Sequence, residues 1–556
     1  MIKAKIESLL REALKNESFQ EIEIFLPEKE EFGHYSTNIA LKLAKDKKGD
    51  PLQIADNIAN QISGLKTELF EKIEAVPPGF INFWLSKKTI YQEIGEILKL
   101  KERYGAGENK NKTVIVEYSS PNIAKPMSVG HLRSTIIGDA IANLLDFSGY
   151  KTVRINHPGD WGTQFGSLIF AYKKWGEKEK LKENPIDYLA GLYVRFHQEA
   201  ENNPELMDKA REETKKLQSG DGENKKLWEI FTEESQKEFN KIYGRLGIKF
   251  DYTLGESFYQ PYLDSVIKDA TEKKIAEKEE GAIKIFYKKE NLPPFVIKKS
   301  DGSYLYPTTD LAAVRYRMEK WNPEKILYVV ANEQALHFQQ LFEAAEMLGY
   351  ATRDNLEHVK FGMLLGEKGK KMSTRKGEFT KLEELLDKAV EKASVINKNS
   401  AETVGISSVK YFDLSHFRQS DIVFSWEQLT NLKGNSAPYL LYAYARMKSI
   451  IKKSGFKLFR PKPDFSKLEN DSEKTLMRQL IYFNNAIERA AALYQPNILA
   501  DYLFKLSEIT NNFYENSPIL KSEKEIKKAR LALAEASSII LKTGLRLLGI
   551  QAPERM

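Results

Sequence analysis

At 556 residues the chain is too long for one hydrophobic core, so three or four domains are expected. Its 42% hydrophobic and 29% charged residues are ordinary for a globular protein, and no run approaches the roughly 18 uncharged apolar residues of a membrane span. Zero cysteines exclude disulfides and thiolate metal ligands, seven histidines make a metal site unexpected, and a net charge of +7 favours a polyanionic partner without demanding one.

The amino-terminal MIKAKIESLLREALKN is apolar at Ile2, Ile6, Leu9, Leu10, Ala13 and Leu14. That is helical spacing, without the unbroken apolar core of a signal peptide. Residues 1–105 read as an α+β unit in which GFINFWLS, 79–86, alternates as a strand, and the polar KERYGAGENKNK, 101–112, marks a boundary. Beyond it, TVIVEY (113–118), a helix from about Val129 to Leu145 and KTVRIN (151–156) make a βαβ unit. SYLY (303–306), KILYVV (325–330) and VKFGMLL (359–365) are further strand candidates, and residues 168–300 read as an insertion. From about 400 the chain turns helical, through a connecting region at 401–435 into a bundle over 436–556. The expected fold is α/β: a Rossmann-type parallel-sheet domain over 106–400 with an insertion, an N-terminal α+β domain and a C-terminal all-α helical bundle.

In an open parallel sheet, ligands sit beyond the carboxyl ends of the strands. The stretch NIAKPMSVGHLRSTIIGDA, 122–140, occupies that position. A helix N-terminus there suits phosphate. Gly130 lets the backbone approach, His131 can donate to a phosphate oxygen, and Lys125 adds a cation. A Gly-His pair is also a common capping feature, and neither the dinucleotide fingerprint nor the P-loop pattern is present. A second cluster, GEKGKKMSTRKGEF at 366–379, is rich in Lys and Arg and could stabilise a leaving pyrophosphate. In the third, SYLYPTTDLAAVRYR at 303–317, Thr308 or Thr309 is expected to cap a helix with Asp310 in its first turn. Tyr306 beside Asp310 at a strand-to-helix junction suits a cationic substrate, above all a guanidinium.

The pairing of SVGH (128–131) with KMSTR (371–375) resembles the two signature motifs of class I aminoacyl-tRNA synthetases. Five segments, VEYSSPNIAKPMSVGHLRSTIIGDA, NHPGDWGTQFG, YLYPTTDLAAVRYR, YVVANEQALHFQQ and GLRLLGIQAPERM, make the chain similar to arginyl-tRNA synthetases along nearly its whole length. The resemblance implies a two-step reaction, in which arginine and ATP give arginyl-adenylate and pyrophosphate, and the arginine then passes to the terminal adenosine of arginine tRNA. ATP comes with Mg²⁺, and family members generally need tRNA before they activate the amino acid. A cytoplasmic monomer without membrane contact fits the family.

By the same resemblance, Gly130, His131, Lys371, Met372 and Ser373 bind ATP, with His131, Lys125, Ser128 and Lys371 catalytic. Glu117, Ser120, Asn122, Tyr306, Asp310 and Gln334 fall on arginine-binding positions, with Glu256 a weaker candidate and Trp161 at the active site. Asp310 with Tyr306 would take the guanidinium, and Asn122 with Gln334 the α-amino end. The N-terminal domain would meet the tRNA elbow through Phe80, Asn82 and Phe83, and the bundle would read the anticodon through Tyr439, Tyr442, Arg446, Asn512 and Tyr514. The aromatics of both groups are also ordinary packing residues. Two departures stand out: Ser128 replaces the first histidine of the ATP motif, and Thr374 a lysine of the second. Two rivals remain at this stage, another class I type such as glutamyl or cysteinyl, and an RNA-binding relative without catalysis. The lack of zinc ligands opposes the cysteinyl type, and the Tyr306 and Asp310 pair favours a cationic substrate.

Overall fold

A computed structural model describes residues 2–15, 17, 21–287, 292–366, 369, 381–455 and 463–556. In the amino-terminal domain, helix Ile2–Ala13 buries Ile2, Ile6 and Leu10. Strands β1 (Ile24–Phe25), β2 (Tyr35–Thr37), β3 (Phe70–Val76) and β4 (Phe80–Leu85) form an antiparallel sheet in the order β1-β2-β4-β3. Because successive side chains alternate faces, the burial of Ile81, Asn82 and Phe83 in a row means that β4 is covered on both. Asn82 is 2% exposed and its Oδ1 accepts the Ser36 hydroxyl at 2.8 Å. The expectation that Asn82 and Phe83 face a tRNA is thereby corrected: β4 is an interior strand, and both are core residues. Phe80 stays half-buried, edge-on to Phe25 at 6.1 Å.

The central sheet is built from β5 (Thr113–Glu117), β6 (Lys151–Asn156) and β7 (Tyr252–Thr253), joined later by β11 (Lys325–Tyr328) and β12 (Leu356–His358). All pairs are parallel, in the order β12-β11-β5-β6-β7. Helix Val129–Phe147 makes the β5–β6 crossover and is buried on most sides. It packs so closely that a Cβ on Gly138 would lie 2.3 Å from the Tyr118 side chain.

The inserted region has two parts. Helices fill 178–246, then β7 returns to the central sheet, and β8 (Ala276–Glu279), β9 (Ala282–Ile285) and β10 (Phe295–Lys298) form a small antiparallel sheet. SYLY is not a strand, because Tyr304 makes only an isolated bridge to Lys298. Helix Tyr306–Trp321 begins there, with Pro307 in its first turn fixing a helical φ. Its cap is Leu305; the Thr308 hydroxyl instead donates to the Ile297 carbonyl, and Asp310 sits one turn in. β12 precedes VKFGMLL, of which Leu364–Leu365 (β13) pairs with Ile422–Val423 (β14) and Phe361 makes an isolated parallel bridge to Ala331.

The carboxy-terminal bundle contains helices Ala437–Ser454, Asp471–Ile481, Phe483–Ala492, Pro496–Asn516 and Lys524–Leu547. One tie to the sheet domain runs through Arg418, whose own carbonyl is held by Arg133. Arg133, 1% exposed, pairs with Asp413 at 2.9 Å and donates to the carbonyls of Gly362 (2.6 Å), Ser420 (3.0 Å) and Arg418 (3.2 Å). Arg418 in turn donates to the carbonyls of Lys360 at 2.5 Å and Tyr494 at 2.9 Å, the latter in the bundle.

Candidate active site

Strands β5, β6 and β11 end side by side at Glu117, Asn156 and Tyr328, and the loops that follow converge. The loop after β5 is tightly turned, with Ser119, Ser120 and Ala124 at φ of 77°, 50° and 59°. It is held from outside: the Ser119 N–H donates to the Ser134 hydroxyl (2.9 Å), that of Ser120 to Asn156 Oδ1 (3.1 Å), and that of Ala124 to the Ser235 hydroxyl (2.9 Å). Ser120 is half-buried and Asn122 exposed. Asn122 bridges Gly159, where a Cβ would come within 2.4 Å of its Oδ1.

The loop delivers Ser128 to the N-cap of helix Val129–Phe147. The Ser128 N–H donates to His131 Nδ1 at 3.0 Å, and its hydroxyl lies 3.0 Å from the same nitrogen. Burial holds the His131 pKa below its usual value, so the ring is neutral at pH 7. With Nδ1 accepting, the proton resides on Nε2, which becomes the donor. Ser128 therefore orients the histidine through its own cap, and Gly130 beside it is exposed. Lys125 is exposed with its ammonium 4.9 Å from the centre of the Tyr193 ring. Lys371, Met372, Ser373 and Thr374 lie outside the described residues. The segment that follows them is tied to the loop before the His131 helix: Lys381 bridges Ser128, the Leu382 N–H donates to the Met127 carbonyl at 2.8 Å, and Lys381 Nζ pairs with Asp187 at 2.7 Å.

Carboxylates gather at the same edge. Asp310 Oδ2 lies 2.7 Å from His337 Nε2, and the His337 ring packs 5.1 Å from that of Tyr306, which is 61% exposed. Glu117 is buried and pairs with the fully buried Arg317 at 2.5 Å. Asp160, from GDWG, accepts the Ser257 N–H (2.8 Å) and hydroxyl (2.7 Å), which fixes the start of the Glu256–Tyr262 turn. Burial, with the carboxylates of Asp310 and Asp160 nearby, pushes Glu256 up to about 8. Trp161 stacks edge-on to Trp228 at 5.7 Å, and Gln334 is exposed in the turn after β11.

The charges balance in an informative way. Arg317 offsets Glu117, Glu256 is mostly protonated at pH 7, and among the described residues neither Asp310, held by His337, nor Asp160, held by Ser257, pairs with an arginine or lysine, a setting for a cationic group. Bound cation would favour ionised Glu256 and expel its proton. Affinity for a cationic substrate is accordingly expected to rise with pH until about 8 and level off above it. Titrating the apparent KM from pH 6.5 to 9 checks this, and a flat profile that matches Glu256→Gln would reject it. The unliganded fold has the opposite slope: a carboxyl raised in the folded state loses stability as pH climbs from its ordinary 4.5 through about 8.

Asp160, His337 and Arg317 were not singled out from sequence. Each lies inside a quoted segment, yet nothing in local spacing distinguishes it from a core or surface residue.

In the bundle, the Arg446 guanidinium lies between the rings of Tyr442 and Tyr514, at 4.6 and 4.8 Å, and donates to the Tyr442 hydroxyl and Asn511 Oδ1, both at 3.0 Å. These three line a groove of about 1020 Å³ with Lys448, Lys452 and Arg555. Tyr439 is half-buried against Phe504 at 5.8 Å, and Asn512 is exposed.

Three family descriptions match the chain in succession: an arginyl-tRNA synthetase N-terminal domain over 1–85, a class I (R) tRNA synthetase catalytic domain over 93–426, and a DALR anticodon-binding domain over 440–556. An arginine–tRNA ligase of Fusobacterium nucleatum is 42% identical over 558 residues, covering 97% of this chain and 96% of that one. A crystal structure of arginyl-tRNA synthetase from Plasmodium falciparum superposes with a TM-score of 0.83 at 30% identity, covering 100% and 99% of the two chains. The Thermus thermophilus arginyl-tRNA synthetase structure shares the fold, with a TM-score of 0.87 at 24% identity over 100% of both.

Proposed function

The chain belongs to the arginyl-tRNA synthetase family, and from that premise we propose how its residues carry the family's reaction. The protein is an arginine–tRNA ligase, forming arginyl-adenylate from arginine and ATP and transferring the arginyl group to tRNA. The observation that carries the site reading is the cluster of carboxylates at one edge of the sheet, where Asp310 and Asp160 lie close enough to Glu256 to push it up to about 8 and Glu117 ends the strand that leads into the His131 loop.

Arginine enters with its guanidinium toward Asp310, Glu256 and Tyr306, while Asn122, Ser120 and Gln334 hold its α-amino and carboxylate end. Glu117, held by Arg317, lines the pocket without adding net charge. A carboxylate oxygen of arginine attacks the ATP α-phosphorus and pyrophosphate leaves. The neutral His131 donates from Nε2 to phosphate, Gly130 admits the nucleotide, and Lys125 with Lys371 opposes the charge that develops on the leaving group. Met372 and Ser373 complete the nucleotide contacts. Mg²⁺ enters on the ATP phosphates, as part of that substrate. A hydroxyl of the terminal adenosine then attacks the arginyl carbonyl, and AMP departs. Phe80 serves the tRNA elbow, and Tyr439, Tyr442, Arg446 and Tyr514 the anticodon. The working state is a cytoplasmic monomer.

Charge-assisted bonds to a guanidinium are worth roughly 1.5–3 kcal/mol each, so lysine and citrulline should be rejected without an editing site. ATP–pyrophosphate exchange with each of the twenty amino acids, with and without tRNA, tests this. Exchange is expected with arginine alone and only when tRNA is present; silence with all twenty despite tRNA binding would overturn the catalytic reading. Lys125→Ala is expected to lower kcat in that assay by about 10²–10³, the usual cost of one preorganised donor to developing charge, with little change in the arginine KM. Wild-type turnover in that variant would remove Lys125 from the mechanism.

A further inference from the structure

We propose that His337 is a positioning residue for arginine recognition: its Nε2–H holds Oδ2 of Asp310 and so presents Oδ1 to the substrate guanidinium. The proposal rests on the reading of Asp310 as guanidinium acceptor.

The geometry is that of a fixed support. His337 Nε2 and Asp310 Oδ2 are 2.7 Å apart, and the two side chains are 13% and 25% exposed. The imidazole is walled by three rings, Tyr306 at 5.1 Å, Phe295 at 5.5 Å and Phe338 at 5.4 Å, which restrict its rotation. The two residues come from different strand-to-helix junctions, His337 from helix Ala335–Met347 after β11 and Asp310 from helix Tyr306–Trp321. Their contact sets the spacing between those junctions.

An aspartate carboxylate turns easily, because its terminal torsion is broad and two-fold. A donor on one oxygen removes that freedom before substrate arrives, so less ordering is left to be done on binding. A carboxylate accepts at about four sites, so one bond to His337 leaves the other oxygen free for guanidinium N–H groups. No reacting atom meets His337; its effect belongs in arginine binding.

The test uses the full chain with tRNA present and ATP–pyrophosphate exchange as readout. His337→Phe keeps a ring among its three aromatic neighbours but has no donor; His337→Gln keeps an N–H at similar reach. His337→Phe is expected to raise the arginine KM about tenfold or more, with kcat and the ATP KM within about twofold of wild type, and His337→Gln to recover most of the loss. Added to Asp310→Asn, His337→Phe should cost little more, since it acts through that carboxylate. An unchanged arginine KM in His337→Phe, equal impairment in both His337 variants, or a full further loss on the Asp310→Asn background would each overturn the proposal. If Asp310→Asn itself leaves the arginine KM unchanged, the underlying reading falls and this one with it; a large effect there with none in His337→Phe removes this proposal alone.

Discussion

Asp310→Asn is expected to lower kcat/KM for arginine by about 10³-fold or more while the KM for ATP changes little. The substitution keeps shape and removes charge. A guanidinium in this pocket would meet an amide N–H or a single oxygen where it had a carboxylate, and a site built for a polar group discriminates by several orders of magnitude when that group is left unpaired. Two features set the residual activity. Arg317 already engages Glu117, so that carboxylate supplies no free negative charge. Glu256, in contrast, is pushed up to about 8 partly by Asp310 itself. Removing Asp310 lets Glu256 ionise at lower pH, and the pH dependence of arginine KM should move acidward in the variant. A variant with wild-type arginine KM, or with an unshifted pH profile, would show that the guanidinium binds elsewhere.

The second large effect is structural. Asp413→Ala is expected to destabilise the protein by about 3–5 kcal/mol, the usual result of leaving one member of a buried ion pair without its partner. Arg133 cannot escape to water: it is 1% exposed and also donates to the carbonyls of Gly362, Ser420 and Arg418. Arg133→Met with Asp413→Leu should recover only part of the loss, because the apolar pair removes the stranded charge but leaves those carbonyls without their donor. Denaturant and thermal unfolding of the three proteins measure this, and a single variant as stable as wild type would contradict it. Arg133 shares its helix with His131, so kcat should fall in the same variants even where they remain folded.

In the sequence Ser128 stands where relatives carry the first histidine of the ATP motif, and is expected among the catalytic residues. In the structure it caps the helix and contacts His131 Nδ1, so what the position supplies here is orientation of the second histidine. Asn82 shows the opposite limit. It looked like a surface residue on an alternating strand, and β4 turned out to be covered on both faces, a fact that depends on β2 and β3 pairing on either side.

What the sequence by itself determined is local. The βαβ unit at 113–156, the loop-to-helix junction at Ser128 to His131, the helical run after 400 and the placement of Tyr306 with Asp310 all follow from short-range spacing, backbone propensity and helix-terminus chemistry. Tertiary structure alone decided which charges meet. Asp310 and His337 are 27 residues apart, Asp160 and Ser257 are 97, and Arg133 reaches the Gly362 carbonyl across 229. It also decided that the two residues of β7 would complete the sheet in the middle of an insertion. The reason is physical: period and capping report what a segment does with its own neighbours, whereas burial of a charge, and the partner that makes the burial tolerable, exist only once distant segments have packed.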